Sequence, residues 1–185
     1  MKVLIVVAAL LLAVVPSAIA ADYGWNLSGS ATDPWVNMGE VVAGEPFQLY
    51  LWLACSPHDG MAAAEFSLVH TYVNGGFTPL HGALNAGNST DLLLAIGGCP
   101  VGPVLVGVWS LIDFVAEGGQ ACLGPSPGGL NATVDCDPID PQPRENAVVG
   151  HGTNGVYPCQ FGGIEHCVGT GRGGLTWGET KALYR

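Results

Sequence analysis

The chain has 185 residues, of which 49% are hydrophobic and 11% are charged, and its formal net charge is −10. So acidic a chain repels phosphate backbones and anionic membrane surfaces, which excludes nucleic acid as a partner. The 28 glycines and 13 prolines are typical of short strands joined by many turns rather than of long surface helices.

The first twenty residues have the pattern of a secretory signal peptide. Lys2 precedes an apolar run over 3–15, and the small residues Ala18 and Ala20 mark a cleavage site. We therefore expect residues 21–185 to form one secreted or periplasmic domain, whose four cations and fifteen acids give a net charge of −11. No later apolar run reaches about 18 residues, so no membrane insertion is expected after cleavage.

Alternating apolar residues predict the first strands. In 47–55, the residues Phe47, Leu49, Leu51 and Leu53 share one face. A second strand is expected over 62–73, with Ala64, Phe66 and Leu68 on the core face and Glu65 on the outer face. The turn residues Asn74-Gly75-Gly76 are expected to end it.

Further apolar runs predict strands over 92–96, 104–115 and 130–136, with a short edge segment over 147–149. In 104–115 the expected core face holds Val104, Val106, Val108, Ile112 and Phe114. Six or so strands without a helix between them favour an all-β fold, an antiparallel β-sandwich.

The last third of the chain changes character. We expect loops held by disulfides over 120–175, because glycines are frequent there and too few apolar residues remain to build a core. Thr176 and Glu179 fit a capping box, which predicts a short C-terminal helix over 176–184.

Export makes disulfides the expected state of the cysteines. Six cysteines allow 15 pairings, and of these we favour Cys122–Cys136, Cys159–Cys167 and Cys55–Cys99. The alternative is a metal site built from Cys136, Cys159, His166 and Cys167, although the spacing of Cys159 and Cys167 is longer than in a zinc knuckle. The cysteines are Cys55, Cys99, Cys122, Cys136, Cys159 and Cys167.

Asp135, Asp137 and Asp140 form the one candidate metal site that we retain. Carboxylate oxygens are the ligands that calcium prefers, although the spacing is not that of an EF-hand. The alternative is a solvated acidic turn shaped by the neighbouring prolines. No other cofactor is expected.

One motif raises the question of catalysis. Residues 124–128 read Gly-Pro-Ser-Pro-Gly, which matches the pattern around a hydrolase serine, here Ser126. Pro127 and Gly128 disfavour the helix that such a nucleophile requires, so we interpret this stretch as a surface loop. Two matches to a dinucleotide-binding glycine pattern, which begin at Gly150 and Gly169, are attributed to the high glycine content.

Tyr50 and Trp52 are the candidate ligand-binding residues. They alternate with the core face of the strand over 47–55 and therefore lie on its other face. Exposed aromatic rings on a flat sheet can stack on sugars or anchor a protein partner. The alternative is a central strand that is covered on both faces.

Two stretches resemble known families. Residues 39–54 and 60–68 resemble the opening strands of cohesin-like β-sandwich modules, which implies a cohesin-like or immunoglobulin-like sandwich. The chain departs from cohesins at Val69-His70-Thr71, where these usually have a Tyr-Asp pair, and in the cysteine-rich region after residue 120. The stretch over 176–184 resembles the tail of secreted bacterial proteins whose family implies no known activity.

We therefore predict an exported, non-catalytic module that binds a carbohydrate or an extracellular protein. Two alternatives stay open at this point. One is a secreted hydrolase whose site is assembled from distant loops, and the other is a self-associating component of the cell envelope.

Overall fold

The computed structural model describes residues 23–56 and 59–161. The predicted signal peptide over 1–20, the predicted helix over 176–184 and Cys167 lie outside these residues. The described residues form thirteen strands and no helix: β1 Tyr23–Ser28, β2 Met38–Gly39, β3 Pro46–Cys55, β4 Met61–His70, β5 Val73–Pro79, β6 Ala83–Asn85, β7 Asp91–Ile96, β8 Val104–Ile112, β9 Gln120–Gly124, β10 Ala132–Asp135, β11 Pro143–Val149, β12 His151–Thr153 and β13 Gln160–Phe161.

The strands form two sheets that share β11. In the first sheet the order is β13, β11, β1, β3, β8, β5. In the second sheet β6 and β7 lie on one side of β4, while β10 and β9 pair with the two halves of β4 on its other side. The pairing is antiparallel except for β1 with β11 and β2 with β12. The architecture is therefore the predicted all-β sandwich.

Strand β11 connects the two sheets. Its residues Pro143 to Glu145 pair with β10, and Asn146 to Val149 then run parallel to β1. The prediction of a short edge segment over 147–149 was therefore wrong, since Val148 is fully buried between β1 and β13. One of its two neighbours, β1, is a strand that the sequence pattern did not predict.

The core lies between the sheets and is rich in aromatic rings. Trp25 of β1 meets Phe66 of β4 edge to face at 5.0 Å between centroids. Phe77 and Trp109 pack at 4.5 Å on the neighbouring strands β5 and β8. Such pairs add to the burial of apolar area, which is the dominant favourable term in folding.

The boundary between β4 and β5 differs from the expectation. Strand β4 ends at His70, and Asn74-Gly75-Gly76 do not form the turn that was predicted. They lie inside β5, where the register with β8 shifts between Asn74 and Gly76. A bulge absorbs the extra residue, which is a common use of glycine within a strand.

The predicted core face of β8 is confirmed at Val104 and Val106 and is wrong beyond them. Trp109 and Leu111 are fully buried, whereas Phe114 is 65% exposed in the loop beyond the strand. The register between β3 and β8 shifts at Leu51 and Trp52, and a bulge of this kind exchanges the two faces of a strand. Strict alternation therefore failed after the bulge.

Candidate functional site

Tyr50 and Trp52 lie on the outer face of β3, as alternation predicted. The Trp52 side chain is only 8% exposed, and its indole N–H donates to the carbonyl oxygen of Ser30 at 3.1 Å. The Tyr50 hydroxyl donates to the side chain of Gln48, and the residue is half-buried. Since the flat face of Trp52 is covered, Tyr50 is the aromatic residue of this pair that solvent reaches.

The loop over 29–37 provides this cover and continues it over β1. The Asn37 amide nitrogen donates to the carbonyl oxygens of Leu27 at 2.8 Å and Gly150 at 3.2 Å. It also donates to the side-chain oxygen of Asn26, which is fully buried. The first sheet therefore has covered surface on both sides at β1.

His151 supports the same loop. Its ring is 3% exposed, and Nδ1 donates to the carbonyl oxygen of Val36 at 3.2 Å. A Cβ added at Gly29 would lie 3.2 Å from the ring, so the glycine allows the close approach. Burial lowers the pKa of the His151 imidazole, although the bond to Val36 opposes the shift. The histidine is a packed component of the cover.

The three candidate calcium ligands organise their own loop. Asp135 is 5% exposed and accepts the backbone N–H of Gln142 at 3.0 Å and the guanidinium Nε–H of Arg144 at 3.3 Å. These contacts, the Gln142 bond foremost, lower the pKa of the Asp135 carboxyl. Asp137 accepts the backbone N–H groups of Ile139 and Asp140.

No group of three or more His, Cys, Asp and Glu side chains gathers around a common point within residues 23–56 and 59–161. The carboxylates of Asp135 and Asp137 are used by the loop backbone, as expected for a turn set by local hydrogen bonds. Calcium binding at Asp135, Asp137 and Asp140 stays a prediction.

The disulfides differ from the pairing that we favoured. Cys99 pairs with Cys136, and Cys122 pairs with Cys159. The local pairs Cys122–Cys136 and Cys159–Cys167 and the pair Cys55–Cys99 were therefore wrong. Each observed bridge spans 37 residues, because strand pairing brings distant parts of the chain together. Cys55 is also disulfide-bonded.

On the outer face of the second sheet, several apolar side chains are left uncovered by residues 23–56 and 59–161, and we call this surface the outer patch. The burial of β7 alternates, so that Leu92, Leu94 and Ile96 are buried while Leu93 and Ala95 are exposed. The register places Leu93 beside Glu65, and Glu65 beside Ala132. A second row contains Leu84, Ala95, Ala63 and Val134. The outer patch consists of Ala63, Glu65, Leu84, Leu93, Ala95, Ala132 and Val134.

The outer patch is apolar except for Glu65, which lies between Leu93 and Ala132 in the first row. Leu84 is 70% exposed and Leu93 is 47% exposed. The exposure of these two residues was not predicted from the sequence, because the run over 92–96 is apolar throughout and Leu84 lies in an unpredicted strand. The exposed face of the run over 92–96 becomes visible only once the hairpin of β6 and β7 is placed beside β4.

A cavity of about 290 Å³ opens beside the outer patch. Its polar lining consists of Glu65, Asn88, Asp91 and Ser126, and Leu92, Leu93 and Pro127 contribute apolar surface. The Ser126 hydroxyl donates to the carboxylate of Glu65. Hydrogen bonds from Ser67 and then Asn88 lower the pKa of the Asp91 carboxyl. Two carboxylates therefore line a recess at the rim of an apolar surface.

Ser126 belongs to a turn rather than to a nucleophile elbow. Its backbone N–H donates to Leu130 and its carbonyl oxygen accepts from Gly129, which closes a tight loop between β9 and β10. Among the described residues, the cavity lining contains the carboxylates of Glu65 and Asp91 and the amide of Asn88, and no histidine that could act as a base for the hydroxyl. Within the described residues, no helix is long and apolar enough to cross a membrane.

The comparisons with known proteins concern the fold. No family model matches the sequence, and no curated protein matches it. The sixth cohesin of scaffoldin B from Acetivibrio cellulolyticus, solved with a Cel5 dockerin, is similar in structure. It gives a TM-score of 0.51 at 9% identity, covering 73% of this chain and 98% of the cohesin.

A second solved structure agrees. The type I cohesin–dockerin complex Coh-OlpC-Doc435 from Clostridium thermocellum gives a TM-score of 0.50 at 12% identity, covering 74% of this chain and 96% of the matched chain. At such low identity the likeness concerns the arrangement of strands and no individual side chain. The described part of the chain therefore has a cohesin-like β-sandwich fold.

Proposed function

We propose that this chain is a non-catalytic module that binds a protein partner through the outer patch. The observation that carries the proposal is the exposure of Leu84 and Leu93 on one face of the paired strands β6 and β7. A contiguous exposed apolar patch with a polar rim is typical of a protein-binding surface. The two similar cohesins were solved in complexes with dockerins, which supports a protein as the class of partner.

The adjoining cavity gives the proposed interface its polar component. Glu65 and Asp91 are carboxylates at the edge of apolar surface, so a lysine or arginine of the partner would meet opposite charge there. The described residues contain a single cation, Arg144, which forms an ion pair with Asp135 and does not line the cavity. Charge complementarity therefore favours a basic partner surface.

The proposed place of action is outside the cytoplasm. Two disulfides among the described residues fit an oxidising compartment, and the N-terminal sequence fits export. Carbohydrate recognition by Tyr50 and Trp52 has weaker support, because a covered indole cannot offer its face to a sugar ring.

Photo-crosslinking tests the proposal at the level of single positions. A photoreactive phenylalanine is introduced at Ala95, inside the outer patch, and in a matched variant at Ser110, which is exposed on the first sheet. Each purified chain is irradiated with the extracellular proteins of its source organism. We expect a discrete protein adduct from position 95 and none from position 110.

Competition makes the test specific. Excess unlabelled wild-type chain should abolish the adduct, whereas excess Leu93→Asp chain should not, because the substitution removes the apolar contact of Leu93 and requires a carboxylate to lose its water within the apolar part of the interface. Adducts of equal yield from both positions, or competition that is unaffected by Leu93→Asp, would refute binding through the outer patch. A glycan array probed with the wild-type and Tyr50→Ala chains tests carbohydrate recognition separately.

A further inference from the structure

The side chains under the loop over 29–37 differ from those of the core. Asn26 lies directly opposite Trp52 where β1 pairs with β3. Ser28 lies opposite Tyr50 two residues further along, and residues opposed in this way have neighbouring side chains on one face of a sheet. An amide, a hydroxyl and two aromatic rings are typical of a face that contacts water or a ligand. The loop nevertheless covers Asn26, Ser28 and Trp52, of which at most 8% is exposed.

One polar atom under the loop has no partner. The Nδ2 atom of Asn26 is buried and donates to no described residue, whereas Oδ1 of the same side chain accepts from Asn37. This buried donor destabilises the closed position of the loop, because it has lost its hydrogen bonds to water and gained none from the protein. Water or an oxygen atom of a ligand satisfies it only when the loop moves away.

Little apolar burial holds the loop in place. Most of its residues are exposed, and its two largest apolar side chains, Trp35 and Val36, are 48% and 38% exposed. Hydrogen bonds supply the attachment. The backbone N–H of Gly29 donates to Val36 at 2.8 Å, and the Trp52 indole donates to Ser30 at 3.1 Å. A segment with exposed residues and few buried apolar contacts opens locally, without unfolding of the core.

The loop closes a slot around the ring of His151. A Cβ atom added at Gly29 would lie 3.2 Å from the ring, and one added at Gly39 would lie 3.5 Å from Nε2. Gly29 belongs to the loop and Gly39 to β2, so the slot exists only while the loop is closed. The Nδ1 atom is bonded to the carbonyl oxygen of Val36, and Nε2 has no hydrogen-bond partner among the described residues. A proton added to His151 therefore goes onto Nε2, where no described acceptor meets it.

The electrostatics of the slot favour an open loop at acid pH. The segments around it contribute Asp33, Glu40 and Tyr157 as further titratable side chains, and none of them is bonded to the imidazole. Burial lowers the pKa of His151, so the closed loop disfavours the charged ring. With the loop open the ring is in water, where its pKa is about 6.5. The ratio of open to closed molecules therefore rises as the pH falls below about 6.5, by at most about tenfold per pH unit.

We propose that the loop over 29–37 is a lid that opens at acid pH, and that the face it uncovers binds a neutral sugar. The indole of Trp52 stacks on the apolar face of a sugar ring, and the Nδ2 atom of Asn26 donates to one of the hydroxyl oxygens. A sugar without charge fits best, because the net charge of −10 repels anions. Recognition of a sugar by Trp52 depends on the lid and involves no residue of the outer patch.

Exchange of indole hydrogens tests the lid on the full chain. The Trp52 indole N–H is bonded to Ser30 of the lid, whereas that of Trp25 is bonded to Thr133 of β10. Nitrogen-15 NMR at pH 7.5 and 5.0 gives the protection of each indole relative to free tryptophan. We expect Trp52 to be at least about tenfold less protected than Trp25, and its protection to fall by up to about 30-fold between the two pH values. Equal protection of the two indoles would mean that the lid opens only when the whole molecule unfolds, which would overturn the proposal.

A histidine substitution assigns the pH effect. Glutamine in His151→Gln can still donate to Val36 but does not titrate, so we expect the fall in the protection of Trp52 at pH 5.0 to disappear. The matched control is His70→Gln, a half-buried histidine of β4, which should retain the fall. A fall that persists in His151→Gln, or that is lost equally in both variants, would refute the assignment to His151.

Binding of neutral oligosaccharides tests the uncovered face. Calorimetry is carried out with β-linked hexaoses of glucose, xylose and mannose at pH 5.0 and 7.5. We expect at least one of them to bind several-fold more tightly at pH 5.0, because only molecules with an open lid bind. Asn37→Ala, which removes three hydrogen bonds of the lid, should raise the affinity at pH 7.5, whereas Thr32→Ala, exposed on the lid, should not. Absence of binding by both the wild type and Asn37→Ala at pH 5.0 would overturn the sugar as the ligand, independently of the result for the lid.

Discussion

Strands β1 and β7 are both central to their sheets, yet one has two buried faces and the other has one. In β1 every residue from Tyr23 to Ser28 is buried, including Asn26 and Ser28. In β7 burial alternates strictly from Leu92 to Ile96. The loop over 29–37 crosses the outer side of β1, whereas no described segment covers the outer side of β7. The difference shows that cover by a loop, rather than strand composition, decides whether a sheet face is available for binding.

The largest expected effect comes from the inner face of β1. Trp25 is 1% exposed, packs against Phe66 and donates its indole N–H to the Thr133 hydroxyl at 2.9 Å. We expect Trp25→Ala to lower the free energy of unfolding by about 3–5 kcal/mol, because it leaves a cavity and removes one of the two hydrogen bonds of the Thr133 hydroxyl. Urea denaturation followed by fluorescence measures the loss, and a change below 1 kcal/mol would contradict this account of the core.

The next effect concerns the cover of β1. Asn37→Ala removes the donor to Leu27, Gly150 and Asn26, and leaves buried oxygens unpaired. We expect a loss of about 1–3 kcal/mol in the free energy of unfolding. Thr32→Ala, an exposed substitution on the same loop, is the control and should change the value by less than about 0.5 kcal/mol. Equal effects of the two substitutions would show that the loop contributes no specific cover.

The pH dependence of stability tests the same cover through His151. Burial lowers its pKa in the folded state, so the unfolded state, with a pKa of about 6.5, binds the proton more readily. Stability is therefore full above pH 6.5 and decreases as the pH falls from there toward the folded pKa, by at most about 1.4 kcal/mol per pH unit. Urea midpoints at pH 7.5 and 5.5 should differ less in His151→Gln than in the wild type, and an equal difference would rule out His151 as the cause.

The smallest effect on stability is expected on the bare face of β7. Leu93 is 47% exposed and pairs with Glu65 across the strands, so Leu93→Asp should lower the free energy of unfolding by only about 1 kcal/mol, while it abolishes the competition described above. Leu94→Asp, one residue away and fully buried, is the contrasting variant and should prevent folding or destabilise the chain severely. Similar stability of the two variants would mean that β7 does not have one bare face.

Local patterns predicted the strands whose faces alternate. The core face of β3 was confirmed at Leu49, Leu51 and Leu53, and that of β4 at Ala64, Phe66 and Leu68. Strand β1 was not predicted, although Tyr23, Trp25 and Leu27 alternate with smaller or polar residues, and the burial of Asn26 and Ser28 comes from a loop that no local pattern reveals. The core face of β8 was misread because one bulge reverses the alternation after it.

The candidate site was less predictable than the fold. Glu65 was correctly placed on the outer face of β4, but its neighbours Leu93 and Ala132 come from strands that lie 28 and 67 residues further along the chain. The cysteine pairing failed for the same reason, since both observed bridges join segments that only strand pairing brings together. A prediction from local sequence favours disulfides between cysteines that are close in the chain, and it cannot rank the pairings between distant cysteines.

The sequence by itself determined the class of the molecule. Strands and turns were predicted from apolar periodicity and turn residues, which are recognised within a few positions along the chain. Together with the acidic composition and the cysteines, these patterns indicated an acidic, disulfide-containing β-sandwich. The tertiary structure decided which surfaces are available. It covered Trp52 with the loop over 29–37, and it left Leu84 and Leu93 exposed beside Glu65. Whether a sheet face is buried depends on contacts between residues far apart in the chain. Such contacts, and the free energy they contribute, cannot be recognised from the residues on either side of a position.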